Sequence, residues 1–225
     1  QRKAFEIGNE VYRRLVKTVR DGMTVNEARA VEMSVQIERG LSPQLFGYVM
    51  PSYNSTGLRR SPFTRQEDLG ALVLRGGDLI VCDLGVVCGG YTTDFGRMLS
   101  IGEPDARTRH AYQTVLEARS ELQEALRPGM EIAKLFDIGR DALVKRGCAP
   151  NAILYAGHGI GLECHESPAI VASDRTVIEE GMTLVLELCP AVDGIWFLLE
   201  NTGLVTRDGW RSLTDFPTDI LVAGS

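Results

Sequence analysis

The sequence predicts an α+β fold: two related halves packed about a pseudo-twofold axis around a central antiparallel sheet. Three observations predict it. First, Arg20-Asp21-Gly22-Met23-Thr24-Val25 returns as Arg127-Pro128-Gly129-Met130-Glu131-Ile132, and Arg39-Gly40 returns as Arg146-Gly147, both 107 positions later. Second, the apolar run Gly77-Asp78-Leu79-Ile80-Val81-Cys82-Asp83 returns 104 positions later as Gly181-Met182-Thr183-Leu184-Val185-Leu186-Glu187. Third, Tyr91-Thr92-Thr93-Asp94-Phe95-Gly96-Arg97-Met98-Leu99 returns as Phe197-Leu198-Leu199-Glu200-Asn201-Thr202-Gly203-Leu204-Val205, with Asp94 against Glu200. One such match arises easily by chance; four in the same order do not. The halves, about 1–105 and 106–225, read as one domain because no linker-like segment divides them.

Each half opens with a helix, a glycine stop, and a second helix that ends at glycine. Thr24-Val25-Asn26-Glu27 is a capping box that starts the second helix of the first half. Gly40 and Gly147 suit the position just past a helix end. The runs ending at Asp83 and Glu187 read as buried strands, as does the short apolar run 195–199. Gly89-Gly90 and Asp193-Gly194 are hairpin-turn pairs between neighbouring strands. Residues 51–66, rich in Pro, Ser, Asn and Gly, read as a loop.

Composition narrows the function classes. The 225 residues are 44% hydrophobic and 24% charged, which describes a globular chain. Asp and Glu outnumber Lys and Arg by 30 to 24, and pI is near 5.2, which argues against nucleic acid or an anionic membrane as partner. No apolar run approaches the ~18–20 residues of a membrane helix. QRKAFEIGNE shows no signal-peptide pattern, so the cytoplasm is the expected compartment. Cys82, Cys88, Cys148, Cys164 and Cys189 form no C-x-x-C pair and read as reduced core thiols, with a special role for one as the alternative.

The chemistry lies in four acids. Asp83, Asp94, Glu187 and Glu200 each follow apolar strand residues, where carboxylates are uncommon. Burying them is costly unless they are paired or coordinated. Within the halves the acids stand 11 and 13 residues apart, a spacing for adjacent antiparallel strands. Pseudo-symmetry brings both pairs to the axis, where like charges raise one another's pKa. Two divalent cations balance four negative charges; separately solvated or salt-bridged acids are the competing reading. His158 lies between Gly157 and Gly159, which let the backbone approach another element closely. It is a candidate fifth, neutral ligand, against a plain loop histidine. This Gly-rich string leads into His165-Glu166-Ser167-Pro168 rather than an apolar helix, so it is discounted as a nucleotide loop. His110 stands in a polar helix start and reads as a surface residue.

With these residues assembled, the sequence resembles the pita-bread metallopeptidase family of methionine aminopeptidase, prolidase, aminopeptidase P and creatinase. The resemblance covers essentially the whole chain and is nearest to the Xaa-Pro dipeptidase and aminopeptidase P branch. It is carried by Val81-Cys82-Asp83-Leu84-Gly85, Thr93-Asp94-Phe95-Gly96-Arg97, Gly157-His158-Gly159-Ile160-Gly161-Leu162-Glu163-Cys164-His165-Glu166, Leu186-Glu187-Leu188-Cys189-Pro190 and Leu199-Glu200-Asn201-Thr202-Gly203. Leu99-Ser100-Ile101-Gly102-Glu103-Pro104 favours that branch. The resemblance implies the pita-bread fold, a single catalytic domain over 1–225, and a homodimer. It also implies a further N-terminal domain beyond this chain, unless the protein is a single-domain member. It implies that Asp83, Asp94, His158, Glu187 and Glu200 hold two divalent metals. Asp94 and Glu200 would bridge them, Asp83 completing one and His158 with Glu187 the other. His165 would face the substrate without ligating.

The family's peptidases carry another histidine in the loop before the first metal strand, in a segment like N-S-x-x-P-H. Here Asn54-Ser55-Thr56-Gly57-Leu58-Arg59-Arg60 stands instead, and no histidine precedes His110. Arg59 or Arg60 is a candidate clamp for a substrate carboxylate, which guanidinium binds bidentately; solvated loop arginines are the alternative. A donor set of hard oxygens and one imidazole suits Mn²⁺, Fe²⁺ or Co²⁺, with Zn²⁺ also accommodated, and ligand softness does not choose among them; Mn²⁺ is the expected ion. The expected activity is hydrolysis of a peptide or small amide, most simply an Xaa-Pro bond. A water acidified between the metals attacks the carbonyl, Glu187 shuttles the proton and His165 stabilises the transition state. Two alternatives stay open: a non-peptide amidohydrolase or lyase acting on a carboxylate-bearing substrate, and a binding module without catalysis.

Overall fold

The computed structural model describes residues 1–43, 47–53 and 69–224. The first half begins with α1 (Arg2–Thr18) and α2 (Val25–Glu38). Helix α1 buries Ala4, Phe5, Ile7, Gly8, Val11, Tyr12 and Leu15, an apolar stripe at helical spacing. The capping box is present at the start of α2: the Thr24 hydroxyl accepts from the Glu27 N–H, and the Glu27 carboxylate accepts from the Thr24 N–H. The strands β1 (Gly47–Tyr53), β2 (Leu79–Leu84) and β5 (Phe95–Ile101) follow, with β3 (Val87–Cys88) and β4 (Tyr91–Thr92) forming a small hairpin between the last two. The second half repeats the plan with α3 (Ala106–Ala125) and α4 (Ile132–Val144). Its strands are β6 (Gly157–Gly159), β7 (Glu166–Ala169), β8 (Thr183–Leu188), the hairpin β9 (Ala191–Val192) and β10 (Ile195–Trp196), β11 (Leu199–Thr206), and β12 (Gly209–Ser212). β13 (Leu221–Ala223) closes the chain.

The duplication is visible bond by bond. The Gly22 N–H donates to the Leu74 carbonyl at 3.0 Å, and the Gly129 N–H donates to the Ile178 carbonyl at 2.8 Å. Isolated bridges join Thr24 to Val73 and Glu131 to Val177. The two hairpin turns match: Gly89 and Gly90 have φ 61° and 83°, and Asp193 and Gly194 have φ 51° and 74°. Positive φ at both central residues is what a tight two-residue hairpin requires.

Besides the hairpins β3-β4 and β9-β10, the described strands form two larger sheets. Their orders are β1-β2-β5-β13 and β12-β11-β8-β6-β7. Pairing is antiparallel except for β13, which runs parallel to β5 and returns the chain end to the first half. Residues 51–53 belong to β1 rather than to a loop; residues 54–66 lie outside the described residues. Helices α1 and α2 pack on Ile80, Cys82 and Leu84 of β2 with Phe95 and Leu99 of β5. Helices α3 and α4 pack on Leu184, Leu186 and Leu188 of β8, in a core that also takes Leu79, Val81 and Met98. His110 lies exposed on α3, as expected of a surface residue. Among the described residues no helix is long and apolar enough to cross a membrane.

Arg97 ties the halves together where β5 meets β11. Its side chain is fully buried and donates to the backbone carbonyls of Gly96, Glu200, Phe216 and Pro217 and to the Asn201 side chain, at 2.6–3.0 Å. A lysine offers one ammonium and cannot reach five acceptors spread around a planar fork. Stranding several buried carbonyls gives an expected loss of about 2–4 kcal/mol for Arg97→Lys. Urea unfolding checks it: the midpoint should fall with the slope unchanged. An unshifted midpoint would mean that the halves are held elsewhere.

Candidate metal centre

Strand register delivers the acids. Glu187 on β8 stands directly opposite Glu200 on β11, so both project from the same face. In the first half the residue opposite Asp83 is not an acid but Gly96. The paired residues are 13 positions apart in both halves; Asp94 sits two positions ahead of its pair, which is why the two acid spacings differ. Gly96 has a reason. A Cβ there would lie 3.2 Å from Glu200 Oε2 and 2.4 Å from Leu198 Cδ2. The space a side chain would fill in one half is taken by the carboxylate of the other.

His158 arrives on β6, paired with Val185 of β8. At Gly157, φ is 128° and a Cβ would meet the Val185 carbonyl at 2.0 Å. At Gly159 a Cβ would meet the Ser167 carbonyl at 2.5 Å. Only glycine lets β6 sit this close between β7 and β8, so the Gly-rich string is strand, not a phosphate loop. The His158 Nδ1 side lies 2.8 Å from the Gly159 carbonyl oxygen, which leaves Nε2 turned inward. There it lies 3.7 Å from Asp94 Oδ2 and 3.8 Å from Glu200 Oε1.

The structure therefore brings together Asp83, Asp94, His158, Glu187 and Glu200. Their donor atoms fall in overlapping groups within 4.8 Å: His158 with Glu187 and Glu200, and Asp83 with Asp94 and Glu200. His165 joins a third group with Asp94 and His158. Its ring is exposed and stacks on His158 with centroids 4.0 Å apart. The loop presenting it is clipped by Glu166, whose Oε1 accepts from the Leu162 and Glu163 N–H groups at 2.7 and 2.8 Å. Thr202 fixes the Asp94 backbone by donating to its carbonyl at 2.6 Å. Arg59 and Arg60 lie outside the described residues.

Two neighbours had no periodicity or spacing to announce them. The Cys164 thiol donates to Asp94 Oδ2 at 3.0 Å. Tyr155 lies nearly parallel to the His158 ring, 6.0 Å away, with its hydroxyl buried and without a hydrogen-bond partner.

The electrostatics are those of a cluster short of positive charge. His158, Asp94 and Glu200 are almost fully buried. Among the described residues no Lys or Arg side chain forms an ion pair with any of the four acids. Burial, and then the charges of Glu200 and Asp83, hold the Asp94 carboxyl well above its ordinary range. Burial, then Asp83 and Glu187, do the same to Glu200. Burial raises Asp83, opposed by hydrogen bonding with Asp94 and Glu200. Glu187 is pushed up to about 8 by burial and then by Asp83. Burial pulls His158 down to about 4, so its imidazole is neutral and free to ligate. Asp83 Oδ1, Glu200 Oε2 and His158 Nε2 have no hydrogen-bond partner. Buried acceptors left this way carry a desolvation cost that a bound cation removes. Four hard oxygens and a neutral imidazole are a fitting donor set for divalent metal.

The family model for metallopeptidase family M24 matches residues 1–216. The chain belongs to that family. Among M24-like relatives, the Xaa-Pro dipeptidase of Pyrococcus furiosus is 30% identical over 222 residues, which cover 97% of this chain and 62% of that protein. Among solved structures, the X-Pro aminopeptidase of Thermotoga maritima superposes with a TM-score of 0.84 at 26% identity, covering 98% of this chain and 61% of the other. The prolidase of Pyrococcus furiosus gives 0.83 at 28% identity, covering 96% and 63%. This M24 chain thus spans about three fifths of the length of the relatives it matches. The expected pita-bread α+β fold, in the Xaa-Pro branch, is the observed one.

The raised carboxylates make a pH dependence. Glu187 holds a proton in the folded, chelated protein that the unfolded chain releases near its ordinary 4.5, and Glu32 on α2, also pushed to about 8 by burial, does likewise. Protons bound more tightly by the folded state make stability fall as pH rises. His158 acts in the opposite sense, but only below its ordinary 6.5. Chelated protein should therefore lose stability from about pH 6.5 to about 8, and a divalent cation should flatten the slope. Urea unfolding across that range, with and without Mn²⁺, checks both; equal slopes would mean that the acids are compensated without metal.

Proposed function

We propose that the chain is the catalytic unit of a hydrolase dependent on two divalent metal ions, Mn²⁺ by preference, that cleaves short peptides at an Xaa-Pro bond. The observation that carries the reading is the convergence of four carboxylates and a neutral imidazole with partnerless inward atoms. Membership of a metallopeptidase family and the names of the relatives support it.

Asp83, Asp94, His158, Glu187 and Glu200 would hold the ions; oxygens of Asp94 and Glu200 lie within 4 Å of His158 Nε2, so one small space serves all three. When bound, two such ions acidify a water toward neutrality and polarise a carbonyl. Glu187 is partly exposed on β8, directly opposite Glu200. Its carboxylate takes the proton of the attacking water and delivers it to the leaving nitrogen. The His165 ring lies at the exposed edge of the cluster, where an N–H can donate to the carbonyl oxygen as charge builds. A short peptide enters from that side, and Arg59 or Arg60 binds its terminal carboxylate. The protein acts as a homodimer in the cytoplasm.

Elemental analysis after purification without chelator, paired with Mn²⁺-stimulated hydrolysis of an Xaa-Pro dipeptide, tests the reading. About two metals per chain with turnover are expected. His165→Ala should lower kcat roughly 10²-fold or more with metal content intact, whereas Asp94→Asn should lose metal. Unchanged turnover would remove His165 from the mechanism. Two metals without dipeptide turnover would favour a non-peptide amide bearing a carboxylate, and no metal in the presence of Mn²⁺ would overturn the reading.

A further inference from the structure

Tyr155 stands on the segment that leads into β6, and the residue after it fixes its place. The Ala156 N–H donates to the Ile170 carbonyl at 2.9 Å, and the Ala156 carbonyl accepts from the Glu187 N–H at 3.0 Å. The Tyr155 ring lies within 14° of the His158 ring plane, with centroids 6.0 Å apart. Among the described residues, seven buried side-chain polar atoms have no hydrogen-bond partner. Four of the seven belong to this one cluster: Asp83 Oδ1, Glu200 Oε2, His158 Nε2 and the Tyr155 hydroxyl. The first three are acceptors, which a cation satisfies. The hydroxyl is the one donor among them, and a cation leaves its hydrogen without an acceptor. Burial, and then the charges of Glu187, Glu200 and Asp94, raise the phenol far above its ordinary range, so it stays a donor at neutral pH. The hydroxyl is thus near enough to feel three carboxylates of the centre and yet donates to none of them. Its acceptor has to come from outside the chain.

We propose that Tyr155 is a further catalytic residue of the centre: its O–H donates to the oxygen that becomes negative when the substrate carbonyl is attacked, from the Glu187 side, as His165 does from the exposed edge. The inference rests on the hydrolase reading above. A hydrogen bond to an oxyanion is stronger than one to a neutral carbonyl. The contact therefore favours the attacked state over bound substrate, and it acts on kcat more than on KM. Tyr155 makes and breaks no covalent bond, and its proton stays on the phenol oxygen. The pinned backbone at Ala156 holds the donor in place beforehand, so little reorganisation is needed when the charge develops.

Tyr155→Phe tests this, because it removes the hydroxyl and keeps the ring. With Mn²⁺ bound, kcat for an Xaa-Pro dipeptide should fall about tenfold or more while KM stays within about twofold. Inorganic phosphate, a tetrahedral oxyanion that requires no recognition of proline, should bind the Mn²⁺-loaded variant about tenfold more weakly by calorimetry. Mn²⁺ binding itself should stay within about twofold, which also shows that the variant is folded with the centre intact. The urea midpoint of the chelated variant should be unchanged or higher, since the substitution removes a buried hydroxyl that has no partner. A hydroxyl with a purely structural role gives the opposite pattern: a lower midpoint, with phosphate binding and kcat unchanged. That pattern overturns the role of Tyr155 and leaves the centre standing. An unaltered chain that binds Mn²⁺ and phosphate but cleaves no dipeptide overturns the Xaa-Pro reading, and the phosphate comparison then decides Tyr155 by itself. Failure of the unaltered chain to bind Mn²⁺ overturns the centre and Tyr155 with it.

Discussion

Four carboxylates share one small interior space without a lysine or arginine among the described residues to pair with them, and much of the local architecture follows from holding them there. Like charges at this range each raise the others' affinity for a proton. The chain resists that repulsion with hydrogen bonds and close packing: acids on paired strands, a backbone pinned by Thr202, and an imidazole wedged in by glycines. None of these devices neutralises the charge. They fix the geometry and leave the neutralisation to a cation.

The duplication supplies acids twice and the imidazole once. In the first half Met50 of β1 pairs with Val81, and in the second His158 of β6 pairs with Val185. Val81 and Val185 are repeat partners, so buried Met50 occupies the place of His158. A similar asymmetry separates the acids. Asp94 stands one same-face step earlier than a strict repeat of Glu200 would, and Gly96 leaves the vacated pocket to Glu200. An evenly repeated site would set two carboxylates against the same volume. The two-residue offset lets four of them interleave across the axis.

Much of this was legible in the sequence. The repeat gave the two halves because helix stops and hairpin turns depend on local chemistry that glycine and the capping box spell out. The acids were legible because an acid ending an apolar strand violates its surroundings. Their interleaving was not, since it depends on which residues face one another across strands. Nor was the end of β1, whose Pro and Ser resemble a loop and whose strand character comes from pairing with β2. Cys164 and Tyr155 reach the centre through tertiary packing, which no spacing encodes. The parallel return of β13 is likewise set by where the chain end docks.

Arg97 shows how positive charge is kept out of the cluster. Its guanidinium is buried one residue beyond Gly96 and reaches the Glu200 backbone carbonyl, yet it spends its donors on carbonyls and on Asn201 rather than on a carboxylate. Had the same group turned to the Glu200 side chain, it would have satisfied the acid permanently and occupied a position that a metal must take. A bound arginine is a fixed charge that cannot polarise a carbonyl as a metal does. The apo cluster is therefore less comfortable than a salt-bridged one would be. Acids kept apart from any arginine, and pushed toward their protonated forms by burial and by one another, are what a divalent cation relieves when it binds.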